Sequence, residues 1–523
     1  MRKALWMLSL LIASTGAHAA WLEASSDHFV VYGDTTEENL RRFAEQLERY
    51  DAAMSVITGT PRRKPSPSAR VTIYATGGDD ELRELAAQNG RVSRNIAGFY
   101  IPAMAGPVAF VPRIAAARKG DEDLDFSTIV LLHEYAHHFA FINSRFTPPL
   151  WYTEGSAEFF ASASFQADGS VTLGRAAKHR AGELFGAPDV TVTDLVDPEH
   201  YRKRKGDDQR YDAFYGRAWL LFHYLTFEPS RQQQRRTYIQ AMLAGRPSRQ
   251  AAEEAFGDLE RLEKELDAYM IRAVFRQVTI KASALPIGDI TVRSLRPGEA
   301  AIMPVVMRSK RGVGSKEVAA GILADARAVA AKFPEEAPVL AALAEAEHDA
   351  GDDDAAVAAA DAALALDPRN VNAHVQKVYA LSRKAEQAKS AAAVDEARRA
   401  LLALNSIEAN HPVPLVYFYR SFAASGETPT DNAVAGLEQA ATVAPFAHEV
   451  SLMLAQRYLL DGKTAQARET MLPAAYNPHG GKRAEQLRGL LARLESADRA
   501  GAAAIAAELR GLDKPEEEKP AKD

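Results

Sequence analysis

The segment FSTIVLLHEYAHHFAFI, residues 126–142, decides the fold of the first half of the chain. It is strongly apolar and contains neither Gly nor Pro, so it predicts a largely buried helix with Asp125 or Ser127 as its N-cap. On such a helix His133 and His137 lie on one face, one turn apart. Ionisable side chains in a buried helix need partners, because burying them alone costs free energy. The segment therefore predicts a metal site.

Zinc is the metal that this arrangement favours, since two imidazoles one turn apart can hold one Zn²⁺ by short Zn–N bonds. Glu134 lies about 100° around the helix from His133, where its carboxylate can take a proton from a bound water. A catalytic zinc has three protein ligands and an open position. Glu154, in the segment WYTEGSAE at 151–158, is the best placed third ligand. The predicted chemistry is hydrolysis by a zinc-activated water, and the alternative is a structural histidine cluster.

The HExxH pentad and the downstream WxxEGxAE segment together resemble the gluzincin metallopeptidases, which include thermolysin-like enzymes and zinc aminopeptidases. The resemblance implies a zincin-like α+β fold, with His133, His137 and Glu154 as zinc ligands and Glu134 as general base. Only 16 residues separate the second histidine from the glutamate ligand, fewer than is usual in zinc aminopeptidases. The chain also has no Gly-x-Met-Glu-Asn motif upstream. The resemblance therefore points to an endopeptidase.

Glu158 lies one helical turn beyond Glu154, on the same face. A metal-bound histidine normally donates its other N–H to a carboxylate or carbonyl, and Glu158 is the candidate acceptor. The corresponding acid has this role in thermolysin-like enzymes. A surface glutamate on an amphipathic helix is an equally good interpretation. His138 points elsewhere on its helix and is expected to pack or to face solvent.

A zinc hydrolase also needs a donor for the oxyanion that develops during catalysis. The apolar helix expected within residues 211–225 offers Tyr215 near its start, and this tyrosine is the preferred catalytic candidate. Tyr211, Arg217 and His223 are further candidates. Ordinary core packing is the alternative for each, and aromatic side chains favour it.

Residues 1–19 have the pattern of a secretory signal peptide. Arg2 and Lys3 form a basic start, an apolar run follows, and small residues at 17–19 suit a cleavage site. The apolar run is too short to span a bilayer comfortably. The chain has no cysteine, which excludes disulfides and a lipidated cysteine. We expect a periplasmic or secreted protein.

The formal net charge is −6, and removing the two basic residues of the signal peptide gives −6 − 2 = −8. This mild excess argues against nucleic acid or an acidic membrane surface as the main partner. No other stretch reaches 18 apolar residues, so we expect no stable membrane insertion.

The pattern around the pentad predicts an α+β peptidase domain over residues 20–275. The expected strands are 28–34, 69–75, 96–101 and 107–113, the expected helices are 36–57 and 79–87, and residues 175–275 are mostly helical. Residues 106–111 are a candidate edge strand for an extended peptide, because Pro107 is tolerated at an edge. An ordinary structural strand is the favoured alternative. Residues 276–297 are expected to form a connector or small hairpin.

Residues 298–512 are rich in Ala, Leu, Asp and Glu and predict an all-α tetratricopeptide-like solenoid. A proline recurs at spacings of 34, 44, 33 and 33 residues, and a period near 34 is typical of these repeats. The prolines are Pro334, Pro368, Pro412, Pro445 and Pro478. Gly351, Gly426 and Gly462 are expected at turns within repeats, and the long spacing implies an insertion near 384–390. An alanine-rich coiled coil is less consistent with regular proline.

Such repeats stack into a superhelix whose concave face usually binds a peptide or protein segment. Residues 298–333 are expected to be a degenerate first repeat, and the tail 513–523 is expected to be disordered. The sequence therefore predicts an exported zinc peptidase with a peptide or protein substrate and a protein partner on its repeats. A non-catalytic periplasmic adaptor and a cell-wall peptide amidase are the alternatives.

Overall fold

The computed structural model describes residues 21–90, 96–118, 123–144, 148–206, 211–272, 274–477 and 479–512. The expected signal peptide, the expected disordered tail and Pro478 lie outside the described residues. Within the described part of the chain, no helix is long and apolar enough to cross a membrane.

The first half combines two sheets with eleven helices among its described residues. The strands are β1 (Trp21–Ser25), β2 (Phe29–Asp34), β3 (Val71–Ala75), β4 (Phe99–Ile101), β5 (Val108–Val111), β6 (Ser164–Phe165), β7 (Val171–Leu173), β8 (Val278–Ile280) and β9 (Thr291–Ser294). The helices are α1 (Glu37–Thr58), α2 (Asp79–Ala87), α3 (Phe126–Asn143), α4 (Leu150–Ala161), α5 (Ala181–Gly186), α6 (Val192–Val196), α7 (Pro198–Lys205), α8 (Phe214–Phe227), α9 (Gln232–Leu243), α10 (Ser248–Phe256) and α11 (Leu259–Met270).

The larger sheet has the strand order β4-β5-β3-β2-β1-β9. Strands β2, β3 and β5 run parallel, while β4 pairs antiparallel to β5, with Phe99 opposite Phe110. All four residues of β5 are buried, as suits an interior strand. The candidate edge at 106–111 is therefore wrong, because β5 has a partner on each side. The edge strands are β4 and β9, and β4 packs against α3.

The expected connector at 276–297 is part of the first half of the fold. β8 pairs antiparallel with β7, and β9 pairs antiparallel with β1. The two extended segments were predicted, but they do not form a hairpin with each other. Each strand joins a different sheet instead. This pairing is with strands far away in the sequence, so the local sequence pattern does not predict it.

A buried charged cluster fixes α1 to β2. The Nδ1 atom of His28 lies 2.9 Å from the Oε2 atom of Glu48, and Nε of Arg62 donates to Asp51 at 2.6 Å. Burial acts to raise the pKa of Glu48, but the hydrogen bond and positive charge of His28 outweigh it and lower that pKa to about 2.

The second half is a helical solenoid-like stretch. Its helices are α12 (Pro297–Lys310), α13 (Lys316–Ala330), α14 (Ala337–Asp349), α15 (Asp353–Leu366), α16 (Val371–Ala388), α17 (Ala391–Ile407), α18 (Pro412–Ser425), α19 (Asp431–Val443), α20 (His448–Leu460), α21 (Thr464–Ala475), α22 (Gly481–Leu494) and α23 (Arg499–Leu512). Helices α12, α14, α16 and α18 pack side by side, and each also packs on the helix that follows it. This arrangement fits tetratricopeptide-like repeats.

The glycines expected at turns within repeats adopt positive φ angles, +91° at Gly351, +72° at Gly426 and +73° at Gly462. The expected insertion does not form a loop. Helices α16 and α17 have 18 and 17 residues, whereas the neighbouring repeat helices α14, α15 and α18 to α21 have 12–14. The extra residues lengthen both helices of one pair. Lys389, in a left-handed conformation, ends α16 and allows a short turn into α17.

The solenoid packs on the first half at both of its ends. Near its start, Met303 and Met307 of α12 share a buried cluster with Tyr74 and Phe110 of the larger sheet. Near its end, the ring centroid of Phe446 lies 5.3 Å from that of His138 on α3. The repeats therefore extend from the sheet to the helix that carries the HExxH pentad.

Candidate metal centre

Helices α3 and α4 pack together and bring His133, His137 and Glu154 to one point. The Nε2 atoms of the two histidines are 3.0 Å apart. The Oε2 atom of Glu154 lies 3.2 Å from Nε2 of His133 and 3.5 Å from Nε2 of His137. The three residues that the sequence singled out as ligands thus present one atom each to a common centre.

These distances fit a tetrahedral metal. Zinc bonds of about 2.0–2.1 Å place neighbouring ligand atoms roughly 3.3 Å apart, and the three measured separations lie on both sides of that value. The Nε2–Nε2 distance is also that of a hydrogen bond, so one proton can hold the two rings together when no metal is bound. The donor set of two imidazoles and one carboxylate is one that zinc prefers.

Glu154 is 1% exposed, and neither of its carboxylate oxygens has an aligned hydrogen-bond partner among the described residues. Its short distances to the histidines are those of an ion pair with poor hydrogen-bond angles. Burial acts to raise its pKa, but the positive charges of His137 and His133 outweigh that effect and hold the pKa below its usual range. A buried carboxylate with unsatisfied oxygens is costly unless a cation occupies the centre.

Glu158 lies behind His133, on the side away from the metal position. Its Oε1 atom is 3.0 Å from Nδ1 of His133, although the angle falls short of a hydrogen bond. His179 contacts the other carboxylate oxygen at 2.6 Å, and Arg180 also binds Glu158. Burial alone would lower the pKa of His133, but the negative charges of Glu158 and Glu154 outweigh that effect and the pKa rises to about 10. The two carboxylates therefore favour a positive charge at this position, which a proton or a metal ion can supply.

The charged residues around Glu158 include a further ion pair. Nη1 of Arg180 lies 3.7 Å from Oε2 of Glu183. Glu183 is buried, and this burial is the main reason why its pKa rises to about 7. His179, Arg180 and Glu183 were not predicted from the sequence. They lie in a short 3₁₀ turn and in α5, where no periodic pattern marks them.

Glu134 lies beside the two histidines with its side chain only partly buried. Within the described ranges its carboxylate has no hydrogen bond or ion pair. Its negative charge contributes to the pKa of Tyr100, Tyr215 and His479, so all three lie on the same side of α3 within electrostatic range of it. The carboxylate is therefore free to act on a ligand in that space.

Tyr215 comes from the first turn of α8, and its ring centroid is 6.4 Å from that of His133. The guanidinium carbon of Arg180 lies 4.9 Å from the tyrosine ring centroid. The charge of Glu154 is the largest cause of the raised pKa of Tyr215, and burial adds to it. The hydroxyl therefore stays protonated and can donate a hydrogen bond.

The other three candidate donors lie away from this centre or are engaged elsewhere. Arg217 is buried and donates to the carbonyl of Val190 at 2.9 Å and to Asp267 at 2.8 Å. His223 is held by the hydroxyl of Tyr269 at 2.8 Å and a backbone carbonyl at 2.9 Å. Tyr211 is 61% exposed, on the loop that precedes α8, and it is engaged with Arg180 and Glu183. Arg217 and His223 support the helical packing of the first half.

His138 is 3% exposed and has a packing role. Its Nδ1 atom lies 2.7 Å from the hydroxyl of Tyr100 on β4, and its ring stacks near Tyr135 and Phe446. Burial lowers the pKa of His138 to about 3, so the ring is neutral. This histidine joins the edge strand, α3 and the repeats.

The WxxEGxAE segment is explained by the packing of α4. A Cβ atom on Gly155 would lie 2.3 Å from the carbonyl oxygen of Ala218, so only glycine allows α4 and α8 to approach this closely. Trp151 is fully buried and donates from Nε1 to the hydroxyl of Tyr238 at 3.1 Å. These two residues fix the position of Glu154 between them.

His479 is a further residue at the centre that was not predicted from the sequence. It lies in the turn before α22, and its ring centroid is 5.3 Å from that of His137. One nitrogen each of His133, His137 and His479 lie within 4.8 Å of one another. No local signal could have found it, because an isolated histidine in a turn of a repeat array has no motif around it.

No protein-family model and no curated protein matches the chain. Among solved structures, the chain is similar to the crystal structure of a thermophilic TPR protein from Thermus thermophilus, with 18% sequence identity and a TM-score of 0.31. That match covers 38% of this chain and 100% of the other. A likeness with so low a TM-score does not establish a shared fold. The packing of the helices in 297–512 is what fits tetratricopeptide-like repeats.

Proposed function

We propose that the chain is an exported zinc-dependent peptidase of the gluzincin type, whose repeats bind a protein partner or the substrate. The observation that carries this proposal is the convergence of Nε2 of His133, Nε2 of His137 and Oε2 of Glu154 within 3.0–3.5 Å. The partly buried carboxylate of Glu134 beside them supports a catalytic site, because a purely structural zinc has no need of a general base.

His133, His137 and Glu154 would hold the zinc, and Glu158 would orient His133 through its Nδ1 atom. A bound zinc would supply Lewis acidity, which lowers the pKa of a bound water and polarises the scissile carbonyl. Glu134 would take a proton from the attacking water and pass it to the leaving amine. Tyr215 would donate its hydroxyl proton in a hydrogen bond to the developing oxyanion.

The edge strand β4 offers a place for an extended peptide beside α3. Its outer side has no strand partner among the described residues, and it packs against the helix that carries the pentad. A substrate strand added there would run past the metal centre. This proposal replaces the edge that the sequence suggested at 106–111.

The test is zinc content by mass spectrometry on the full chain, with His133→Ala, Glu154→Ala and Glu134→Gln beside it. We expect about one zinc in the parent and in Glu134→Gln, and a sharp loss in the two ligand variants. Casein cleavage should stop on chelation and should fall by at least about 10²-fold in Glu134→Gln. Full activity in Glu134→Gln would refute the assignment of the base.

The outcomes also separate the alternatives. Zinc binding without cleavage of any peptide would favour a non-catalytic adaptor, and digestion of purified peptidoglycan in place of casein would favour a cell-wall amidase. Export is checked by sequencing the N-terminus of the protein recovered from the periplasm or medium, where we expect cleavage near Ala20.

A further inference from the structure

The turn that carries His479 reaches the metal centre from the far end of the repeats. His479 is 479 − 137 = 342 residues beyond His137, yet the two rings meet edge to face at 5.3 Å and 77°. Its ligand nitrogen lies within 4.8 Å of those of both motif histidines. No sequence pattern predicts this fourth possible ligand atom at the centre.

The approach of His479 is part of a built contact between the repeats and α3. Phe446, in the turn between α19 and α20, packs on His138 with ring centroids 5.3 Å apart. The ring centroid of His448, at the start of α20, lies 5.3 Å from that of Phe141 on α3. The turn between α19 and α20 and the turn between α21 and α22 therefore both contact the pentad helix.

We propose that His479 is a fourth zinc ligand, so that the metal centre is shared between the peptidase half and the repeats. This inference rests on the proposed function, because it presupposes zinc on His133, His137 and Glu154. A neutral imidazole donates a lone pair to the metal, and four protein ligands close a tetrahedral site. The isolated chain is then partly inhibited, since His479 competes with water for the fourth position on the metal.

The geometry requires only a small movement. Ligand atoms of tetrahedral zinc lie roughly 3.3 Å apart, while the nitrogen of His479 lies within 4.8 Å of the other two. A displacement of at most about 1.5 Å would bring it to that spacing from the two histidine nitrogens. Gly480 and Gly481 follow it directly, and Gly481 has a φ of +49°, so the backbone at this turn is unusually permissive.

An edge-to-face ring contact also has a simpler explanation, namely aromatic packing of His479 on His137. Packing needs the ring, whereas ligation needs the nitrogen. His479→Phe keeps the ring and removes the nitrogen, and His479→Ala removes both. His448→Ala is the matched control, because it deletes a histidine from the same contact that lies outside the three-histidine group.

The experiment is a zinc competition titration of the full chain against a chromophoric chelator, paired with absorption spectra of the cobalt-substituted protein. Loss of a residue behind a ligand weakens metal binding about 10–100-fold, so loss of a ligand should cost at least about 10-fold. We expect that loss in both His479→Ala and His479→Phe, together with weaker cobalt d–d bands and faster casein cleavage. His448→Ala should match the parent.

The inference is overturned if His479→Phe binds zinc as tightly as the parent, because the contact is then packing. Unchanged affinity with slower cleavage would also overturn it and would assign His479 to the substrate. In both cases the proposed function stands as long as His133→Ala loses zinc. If the parent and His133→Ala bind equally little zinc, the proposed function fails and the fourth ligand fails with it.

Discussion

Replacing Gly155 by alanine tests the link between the packing of α4 and the metal centre. The new Cβ atom would lie 2.3 Å from the carbonyl oxygen and 2.7 Å from the carbonyl carbon of Ala218, and 3.1 Å from Cβ of Phe222. The distance from the new Cβ to this carbonyl oxygen would be about 1 Å shorter than a normal van der Waals contact. Because two of these atoms are backbone, they cannot rotate away, and α8 must move as a whole.

Overpacking of a well-packed core costs about 1–3 kcal/mol. Alanine is also a better helix former than glycine, which stabilises the helix by roughly 1 kcal/mol. We therefore expect a net loss of about 0–2 kcal/mol in the free energy of unfolding of the first half, towards the upper end because the nearest atoms are backbone. Glu154 precedes Gly155 directly, so the same displacement should move its carboxylate from the histidines and weaken zinc binding about 10-fold.

Urea unfolding followed by tryptophan fluorescence suits this variant, because Trp151 lies on α4 and Trp219 on α8, both buried. The control is Gly489→Ala, another helical glycine, where an added Cβ meets nothing within 4 Å. The control should be neutral or stabilised by up to about 1 kcal/mol. If Gly155→Ala unfolds at the same urea concentration as the parent and keeps its zinc affinity, the close approach of the two helices does not hold the site.

Three further predictions concern single side chains. Glu158→Gln should weaken zinc binding about 10–100-fold in a chelator competition, since it no longer holds His133; an affinity within a factor of two of the parent would contradict this role. Tyr215→Phe should keep zinc and lower kcat by about 10²-fold in a casein assay, and an unchanged kcat would remove the tyrosine from the mechanism. The pKa of Glu48 is lowered to about 2, so the stability it contributes is present above its ordinary value of 4.5 and is lost as the pH falls towards 2. Glu48→Gln should therefore be less stable than the parent at pH 7 in urea unfolding, and the difference should shrink in acid.

Local periodicity accounts for what the sequence predicted well. The apolar segment around the pentad predicted a buried helix with Asp125 or Ser127 as N-cap, and α3 begins after Asp125, which accepts a hydrogen bond from Ser127 at 3.0 Å. The helical solenoid-like stretch was predicted from recurrent proline and glycine, which mark turns at fixed intervals. Both features depend on residues that are close together in the chain, so a local pattern is enough to predict them.

Pairing between distant segments accounts for what the sequence did not predict. Pro107 suggests an edge at β5, but the partner strand β4 covers that side. Arg217 and His223 are candidate donors in the sequence because they lie on the same helix as Tyr215. The helix turns them towards Asp267 and Tyr269 instead, and only the packing of α11 reveals those partners.

The position of His479 depends on the whole array in a way that no segment encodes. The curvature of stacked repeats accumulates from a small rotation at each repeat, so a change in one pair moves everything beyond it. The longer helices α16 and α17 lie between the start of the solenoid, which packs on the sheet, and the turn that meets His137. Shortening this pair to the length of its neighbours would shift the following repeats relative to α3. The geometry of a distant helix pair thus sets whether a third imidazole can reach the site as its fourth ligand, although the other three candidate ligands lie within 22 residues of one another.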